Sequence, residues 1–389
     1  MQIFIKGNNI HLNLFLDAMA KGCDDAVFLD YSDKEGFERE LIKLDPQIDS
    51  STRVICFNNI GVSAMLPGHD MFYWAEKDAE VADILVDHPL YYFESFSVAL
   101  YIKKLKFYCV DRHQAEAVAE SFPILKGRIS FLPHGGLSVE DAALIRGQEH
   151  ICEEIKTEKN IDVLYLGTGH QMSVTYPATG IPGIKDDEFY GLAYEALISD
   201  PYMQEDMAVS LYEKEKGINL NVAERMTLTA ILLKTVHYTA LHHLKKQMIE
   251  ALADEGIRLE IHGSGWEDIA ESHRENVTVG EYLDPADCPF LMARAKIVLN
   301  FHPFFSYGSH ERVFGAMRCG SVCVSSKSRY LESRFEDGRD IIYYDIKDPK
   351  GAAGRIRELL ADDDNLREIA IHGNEKTGND SWADRLRYL

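Results

Sequence analysis

Short apolar runs alternate with helix-like stretches along the first third of the chain. The apolar runs occupy residues 3–5, 26–29, 53–57, 84–86, 107–110 and 129–132, and helical spacing marks residues 10–20 and 36–44. Strands of this length that are separated by helices are typical of βαβ units with a parallel sheet. The pattern therefore predicts a first α/β domain, to which we assign residues 1–140.

A second series of the same kind follows a break at residues 133–136 and a charged stretch that ends near residue 160. Its predicted strands cover residues 161–168, 258–261, 277–279, 297–301, 321–325 and 341–344, and its predicted helices cover 241–255, 289–295, 309–318, 351–361, 365–373 and 381–389. Residues 171–235 do not alternate, and we interpret them as a helical insertion. The second domain is assigned to residues 141–389, and its final helix, 381–389, is expected to pack back towards the first domain.

The fold class that this pattern predicts is α/β, with two tandem Rossmann-like domains that face a central cleft. In doubly wound sheets, ligands bind beyond the carboxyl ends of the strands. The segments that follow predicted strands are therefore the places where we look for chemistry.

The charge balance narrows the classes of partner. The chain has 389 residues, with 41 Lys and Arg against 63 Asp and Glu, so its formal net charge is −22. Such a chain repels polyanions over most of its surface, which argues against a general nucleic-acid binder. We also expect no transmembrane segment, because no apolar run approaches the roughly 18 residues that span a bilayer.

The seven cysteines are an odd number, and they are scattered along the chain without a CxxC pair. No histidine and cysteine cluster completes a zinc pattern, so we predict no metal site. Buried free thiols in a reducing compartment are the simplest interpretation. The start of the chain has the pattern of a buried strand and lacks the regions of a signal peptide. We therefore expect a cytoplasmic protein.

A glycine-rich run, Gly263-Ser264-Gly265, directly follows the strand predicted at 258–261. Glycines at such a place let the backbone approach a ligand closely. The run lacks the third glycine of a dinucleotide fingerprint, because position 268 is Asp, so a nicotinamide cofactor is only weakly indicated. A tight turn between a strand and a helix is the alternative interpretation.

The stretch from residue 299 to residue 324 has a stronger pattern. A strand ends, a loop of aromatic and small polar residues follows, and Ser309 then stands where a helix N-cap is expected. A helix start offers unpaired N–H groups to a phosphate, and Arg312 can add a bidentate contact. Glu311 would repel a phosphate but can accept hydrogen bonds from sugar hydroxyls. His302 and His310 can serve the site or can be packed or capping residues.

Two candidate segments lie in the first domain. His88 follows a strand and precedes Pro89, so it is a candidate general base for an acceptor hydroxyl, a sugar-binding residue, or simply a turn histidine. The run Gly7-Asn8-Asn9 follows the first strand and also points to the cleft, and His134 is expected near the junction of the domains.

The second half of the chain resembles the nucleotide-sugar-dependent glycosyltransferases of the GT-B fold, in particular a CgeB-like group with a "glycosyl transferases group 1" C-terminal domain. The resemblance rests on residues 162–167 (DVLYLG), 261–266 (IHGSGW), 309–324 (SHERVFGAMRCGSVCV) and 330–344 (YLESRFEDGRDIIYY). It covers about residues 160–389 without the insertion, while the first half matches only in architecture.

This resemblance implies metal-independent transfer of a sugar from a nucleoside-diphosphate sugar, a UDP-sugar foremost, to a hydroxyl of an unknown glycan, protein or small molecule, with no further cofactor. It implies catalytic roles for His88 and Glu311 and places the base near Tyr282. The implied donor-binding residues are Gly167, Thr168, Gly263, Ser264, Gly265, Tyr282, Asn300, His302, Ser309, His310, Glu311 and Arg312. The implied acceptor-binding residues are Gly7, Asn8, Asn9, His88 and His134.

One residue departs from the resemblance. Many relatives carry a glutamate immediately before the Ala-Met pair, where it binds the donor ribose, and this chain has Gly315 there. Glu311 lies one helical turn earlier and is a possible substitute. A noncatalytic nucleotide-sugar-binding or scaffolding protein, or a nucleotide-sugar epimerase on the same fold, therefore remains an alternative to a transferase.

Overall fold

A computed structural model describes residues 1–148, 158–169 and 173–389. Contacts between Cα atoms divide these residues into two compact units. The first unit comprises Met1–Leu137 together with Asn379–Leu389, and the second comprises Ser138–Gly378. The sequence pattern had assigned residues 379–389 to the second domain, so the last eleven residues group differently from that assignment.

The first unit is built on a six-stranded parallel sheet. Its strands are β1 (Gln2–Lys6), β2 (Ala26–Asp30), β3 (Arg53–Phe57), β4 (Glu80–Leu85), β5 (Leu105–Cys109) and β6 (Ile129–Phe131). Between them lie α1 (Ile10–Ala20), α2 (Lys34–Leu44), α3 (Tyr73–Glu76) and α4 (Arg112–Ser121), with 3₁₀ segments at Asp45–Gln47, Pro89–Leu100 and Pro123–Leu125. The strand order is β2-β1-β3-β4-β5-β6, as expected for consecutive βαβ units.

The second unit contains a second six-stranded parallel sheet, in the order β12-β11-β10-β7-β8-β9. Its strands are β7 (Ile161–Leu166), β8 (Leu259–His262), β9 (Val277–Gly280), β10 (Ala295–Asn300), β11 (Val322–Ser326) and β12 (Ile342–Tyr344). Its helices outside the insertion are α5 (Val139–Arg146), α9 (Val236–Asp254), α10 (Glu267–Ser272), α11 (Cys288–Arg294), α12 (Glu311–Arg318), α13 (Arg329–Arg334), α14 (Pro349–Leu360) and α15 (Asp363–Lys376), with a 3₁₀ segment at Pro285–Asp287. The predicted α/β class with two parallel sheets is confirmed.

The insertion is helical, as the sequence predicts. It consists of α6 (Asp186–Ser199), α7 (Glu205–Lys216) and α8 (Val222–Lys234), and α9 follows at once after a bend at Thr235. Its apolar faces join the core of the second sheet, since Phe189, Tyr212 and Leu228 are fully buried in the same cluster as strand residues such as Val163. We call residues 186–234 the insertion below.

The C-terminal segment of the first unit is held by one buried tryptophan and one buried arginine. Trp382 stacks on Phe15 at 4.7 Å between ring centroids and meets Phe57 edge-on at 5.3 Å. Arg385 donates to the carbonyl oxygen of His134 at 3.0 and 2.7 Å and pairs with Asp380 at 2.8 Å. The helical end expected over 381–389 is present, but it changes type along its length. The helix α16 spans only Trp382–Arg385, and a 3₁₀ turn, Leu386–Tyr388, follows it.

The described cysteines are free thiols, and four of them (Cys56, Cys109, Cys319 and Cys323) are buried, while Cys152 lies outside the described residues. Within residues 1–148, 158–169 and 173–389, no helix combines the length and the apolar character needed to cross a bilayer. The same residues contain no group of three or more His, Cys, Asp or Glu side chains placed to hold a metal ion.

Asp83 on β4 is a fully buried carboxylate. Its Oδ1 accepts hydrogen bonds from the backbone N–H of Asn59 at 3.0 Å and from the thiol of Cys56 at 3.6 Å, while Oδ2 has no partner in the part of the chain that the structure describes. Burial raises the pKa of Asp83 to about 7, because the charged form loses its hydration. The neutral acid is therefore the form that the folded first unit favours.

We expect replacement of Trp382 by alanine to destabilise the first unit by about 3–5 kcal/mol, because it empties a large buried site between aromatic rings. Scanning calorimetry on the variant measures this loss. Tyr388→Ala is the matched control, since Tyr388 is 56% exposed, and it should change stability by less than about 0.5 kcal/mol. Equal effects of the two changes would contradict the packing described here.

The raised pKa of Asp83 also predicts a pH dependence. Between pH 4 and pH 7 the unfolded chain has lost this proton and the folded unit keeps it, so the free energy of unfolding falls as pH rises. The slope from this one group is at most about 1.4 kcal/mol per pH unit. Urea unfolding at a series of pH values should show a flatter profile for Asp83→Asn than for the unchanged protein. Parallel profiles would show that Asp83 is charged in the folded state.

Candidate functional site

The sheet of the second unit reverses its strand order between β7 and β10. Chain connections leave these two neighbouring strands in opposite directions, so a crevice opens beyond their carboxyl ends. The predicted site residues Gly167 and Thr168 directly follow β7, and Asn300 ends β10. The structure therefore brings these predicted donor-site segments to one edge of the sheet.

Two glycine loops are hydrogen-bonded to each other beside this crevice. The N–H of Gly167 donates to the carbonyl oxygen of His262 at 2.9 Å, and the N–H of Gly169 donates to that of Ser264 at 2.8 Å. The indole N–H of Trp266 closes the set by donating to the carbonyl oxygen of Gly167 at 2.9 Å. These bonds fix the backbone after β7 against the backbone after β8.

The close approach of the two loops requires glycine at position 263. Gly263 has φ of 144°, and a Cβ atom there would lie 2.3 Å from the carbonyl oxygen of Gly167. No other residue fits that space or that backbone conformation without strain. The sequence analysis left a tight turn and a ligand site open at this run, and the geometry is a tight turn whose backbone borders the crevice.

Arg312 lies in the first turn of α12 and points towards the ends of β7 and β10. Its Nη1 donates to Oδ1 of Asn300 at 3.2 Å, and its guanidinium lies 5.8 Å from the ring centroid of Tyr165. Asn300 is fully buried and is itself held by donation from Nδ2 to Ser325 Oγ at 2.9 Å. The amide of Asn300 therefore fixes the direction of the arginine.

A second cation, Lys245, reaches the same place from α9. Its Nζ lies 3.4 Å from the carbonyl oxygen of Thr168, to which it donates. Burial, together with the smaller effect of the Arg312 charge, lowers the pKa of Lys245 to about 8. Among the described residues, neither cation is paired with a carboxylate within salt-bridge distance. The crevice is thus a region of concentrated positive charge on a strongly acidic protein.

The start of α12 differs from the expected cap. His310, not Ser309, is the N-cap residue, and its Nδ1 accepts from the N–H of Arg312 at 3.3 Å. The same nitrogen lies 3.0 Å from Oε2 of Glu311, to which it can donate when the ring is protonated. Ser309 is fully buried one residue earlier. The predicted end is confirmed, since Gly320 has φ of 73° and closes the helix beyond Cys319.

His302 and Tyr282 occupy contrasting environments. His302 is almost fully buried, its N–H donates to Ser326 Oγ at 2.8 Å, and its ring lies 5.9 Å from that of His310. Tyr282 follows β9 and is 72% exposed. His302 therefore shapes the wall of the loop after β10, whereas the Tyr282 ring is open to a ligand.

The predicted residues of the first unit have local structural roles. The N–H of Gly7 donates to Oδ1 of Asn13 at 2.9 Å, Asn9 caps α1 by accepting from two backbone N–H groups, and Asn8 is exposed. His88 is buried and its Nδ1 accepts from the N–H of Leu90 at 3.2 Å, which makes it the cap of the 3₁₀ segment. Their acceptor-binding roles stay predictions.

His134 is also buried, and its ring lies 6.0 Å from that of Trp382, edge to face. Its carbonyl oxygen is the acceptor for Arg385. Through these contacts His134 holds the C-terminal segment against the first unit. Its expected contact with an acceptor stays a prediction.

Two residues of the crevice escaped the sequence analysis. Lys245 belongs to a long amphipathic helix, where it is one lysine of a pair with Lys246, and nothing in the local pattern separates a ligand-facing lysine from a solvated one. Tyr165 lies inside a strand, where the sequence pattern predicts a core residue. It is buried in the structure, and this burial raises the pKa of its hydroxyl to about 12. Only the strand order places both residues beside Arg312.

Comparison with known proteins identifies a related family for the last part of the chain. A family model described as "Glycosyl transferase-like" matches residues 242–389, a stretch that contains both Lys245 and Arg312. No curated protein matches the chain. The resemblance that the residues predict to glycosyltransferases is thereby confirmed for this part of the chain. The narrower CgeB-like group is not tested and stays a prediction.

Solved structures give the class of fold. Sucrose-phosphate synthase from Thermosynechococcus elongatus is 11% identical, with a TM-score of 0.54 over 100% of this chain and 97% of that one. HepE from Anabaena, in complex with UDP and glucose, is 12% identical, with a TM-score of 0.48 over 100% of this chain and 98% of that one. Pneumococcal O-GlcNAc transferase GtfA, in complex with UDP and GlcNAc, is 12% identical, with a TM-score of 0.45 over 91% of this chain.

The chain spans little more than half the length of some of these structures, 58% of GtfA and 56% of TarM. The likeness to sucrose-phosphate synthase shows the fold. The two α/β units have the GT-B fold, as the sequence predicts.

The glycine contact gives a direct test of the crevice. We expect Gly263→Ala to destabilise the second unit by roughly 2–4 kcal/mol, because the new methyl group meets the Gly167 carbonyl and the backbone is strained. Gly354→Ala on α14 is the control, since nothing lies within 4 Å of a Cβ there, and it should stabilise by about 0.5–1 kcal/mol. Thermal unfolding of both variants measures the difference. A Gly263→Ala protein as stable as the control would refute the loop geometry.

Proposed function

We propose that this protein transfers a sugar from a nucleoside-diphosphate sugar to an acceptor hydroxyl, with the donor diphosphate bound between Lys245 and Arg312. The observation that carries the proposal is the convergence of these two cations, without a pairing carboxylate among the described residues, at the switch point of the second sheet. A UDP-sugar is the donor that we propose to test first. The family match over residues 242–389 supports the reaction class.

A diphosphate fits the charge of the crevice. Burial of Lys245, and after it the nearby charge of Arg312, disfavour the protonated amine and so lower the pKa of Lys245 in the free protein. An anion between them removes the repulsion and supplies the missing partner. Charge-assisted hydrogen bonds to phosphate oxygens are about twice as strong as neutral ones, and an arginine can make two at once.

The same groups suit the chemical step. As the bond between the sugar and the diphosphate breaks, negative charge grows on the leaving phosphate oxygen. Positive groups already fixed by Asn300 and Thr168 stabilise that charge without having to reorganise. We therefore assign leaving-group stabilisation to Lys245 and Arg312, and propose that the reaction proceeds without a divalent cation.

Glu311 and His310 are placed to recognise hydroxyl groups of the donor. They follow the loop after β10 and lie 3.0 Å apart, and both are partly exposed at the start of α12. A carboxylate there accepts hydrogen bonds from sugar or ribose hydroxyls. Gly315 is buried one helical turn further along the same helix and has no side chain, so that position offers no carboxylate to a ribose in this chain.

The acceptor side of the proposal rests on the first unit. His88 lies just beyond the carboxyl end of β4, and its Nδ1 accepts from the N–H of Leu90, so the neutral ring carries its proton on Nε2. We propose that this Nε2–H binds an acceptor or sugar hydroxyl, and that His88 acts as a general base only when Nδ1 releases the Leu90 N–H. The neighbouring Asp87 accepts from Asn58 at 3.0 Å and from Tyr92 at 2.8 Å, so this end of the strand is a polar, hydrogen-bonded surface.

Release of UDP from a panel of UDP-sugars, with extracts as the acceptor source, tests the proposal. Loss of one charge-assisted contact typically costs about 1.5–3 kcal/mol. We therefore expect Lys245→Ala and Arg312→Ala each to weaken UDP binding roughly 10- to 100-fold and to reduce turnover at least as much. Lys246→Ala is the matched control, because Lys246 is the next residue on α9 and its side chain is 52% exposed.

The outcomes separate the alternatives that the sequence left open. Binding that depends on both cations, without turnover for any acceptor, would favour a noncatalytic nucleotide-sugar-binding protein. A changed nucleotide sugar without any acceptor would indicate an epimerase. The assigned site would be contradicted if Lys245→Ala and Arg312→Ala bound UDP as tightly as the control Lys246→Ala.

The pKa of Lys245 predicts how binding varies with pH. In the free protein this group loses its proton near pH 8, and a bound diphosphate raises the pKa, so binding takes up a proton above pH 8 and weakens as pH rises. UDP affinity measured by calorimetry from pH 7 to pH 10 should show this decline. Lys245→Arg keeps its charge over that range and should give a nearly flat profile. A flat profile in the unchanged protein would contradict the assignment.

A further inference from the structure

The insertion contacts the loop that carries His302 and His310, residues 302–310, which we call the site loop. The first connection begins with a buried, hydrogen-bonded pair of side chains. Glu205, the first residue of α7, is fully buried, and its Oε1 lies 2.6 Å from Nδ1 of His237 at the start of α9. The second oxygen of Glu205 has no partner among the described residues. A buried carboxylate is costly, so the pair with His237 is its compensation.

His237 transmits this contact to the site loop. Its ring centroid lies 4.8 Å from that of Phe304, which is 2% exposed. Phe304 has φ of 71°, a left-handed conformation that a residue with a large side chain rarely adopts. Such a conformation persists only where the surroundings hold it. The ring of His237 is one of those surroundings, and Glu205 fixes that ring.

A second connection runs through the backbone between α6 and α7. The hydroxyl of Ser306, which is fully buried, donates to the carbonyl oxygen of Pro201 at 3.1 Å. The carbonyl oxygen of Ser306 accepts from the N–H of Arg329 at 2.7 Å. Ser306 is thus held between the insertion on one side and the start of α13 on the other.

The residue next to Pro201 locks the insertion onto α13. The hydroxyl of Tyr202 donates to the carboxylate of Glu332, whose oxygens lie at 2.7 and 2.9 Å. The guanidinium of Arg329 lies 3.7 Å above the Tyr202 ring. The insertion therefore holds the site loop both directly and through the helix that follows β11.

We propose that the insertion is a positioning element, and that Glu205 and Ser306 are the residues through which it sets the conformation of the site loop. This role extends the proposed function, because the loop leads into His310, Glu311 and Arg312. An insertion that serves only to cover the sheet would need no polar contact with a loop beyond the strand ends. These contacts bear on donor positioning because Arg312 lies only two residues beyond the end of the site loop at residue 310.

Hydrogen exchange measures the coupling without any ligand. We expect amides in residues 302–310 to exchange at least tenfold faster in Glu205→Ala and in Ser306→Ala than in the unchanged protein. Glu213→Ala is the matched control. Glu213 lies on the same helix, and its carboxylate pairs with Arg225 at 2.6 Å inside the insertion, with no contact to the site loop. Exchange in 302–310 that is the same in Glu205→Ala, Ser306→Ala and Glu213→Ala would overturn the proposal.

Donor binding distinguishes positioning from general stability. We expect UDP affinity, measured on folded protein, to fall about tenfold in Glu205→Ala, to stay unchanged in Glu213→Ala, and to recover in Glu205→Gln, whose amide oxygen can accept from His237. Faster exchange together with unchanged UDP affinity in Glu205→Ala would refute the positioning role. If the unchanged protein binds no UDP, the proposed function fails, while the exchange experiment still decides whether the insertion holds the loop.

Discussion

The candidate site depends on one constraint, the repulsion between Lys245 and Arg312. Neither cation has a pairing carboxylate among the described residues. Lys245 and Arg312 arrive from different helices, α9 and α12, and meet at the ends of β7 and β10. Burial of Lys245 and, as a second cause, its closeness to Arg312 both disfavour the protonated amine, and they lower the pKa of Lys245. A protein of net charge −22 has many carboxylates available to neutralise them. In the proposed function, a donor diphosphate is the anion that pairs with both cations.

Three local features of the fold hold Lys245 and Arg312 at the crevice. The strand order creates the crevice, glycine at 263 lets the two loops touch, and buried Asn300 aims the arginine. The insertion adds contacts to the loop after β10 through Glu205 and Ser306. Backbone geometry and buried polar contacts thus hold the site in place. The groups that we propose to contact the donor, Lys245 and Arg312, are few by comparison.

Much of the fold follows from the sequence, because parallel sheets have nearly continuous apolar strands that stand out between helices. The glycine run at 263 and the helix start near 310 are visible for the same local reasons. Lys245 is not visible, because its role depends on strand order, which no local pattern records. The cap of α12 falls on His310 where Ser309 was expected, since both can cap a helix and tertiary packing of Ser309 decides between them. The change from α-helix to a 3₁₀ turn after Arg385 is not visible in the sequence pattern either.

A crystal structure of the protein soaked with UDP tests the central claim most directly, since it locates the anion relative to both cations. The account predicts phosphate density within hydrogen-bonding distance of Lys245 Nζ and the Arg312 guanidinium, beside the backbone at Gly263 and Ser264. The account would be contradicted if UDP at millimolar concentration bound elsewhere on the protein and left the crevice unoccupied.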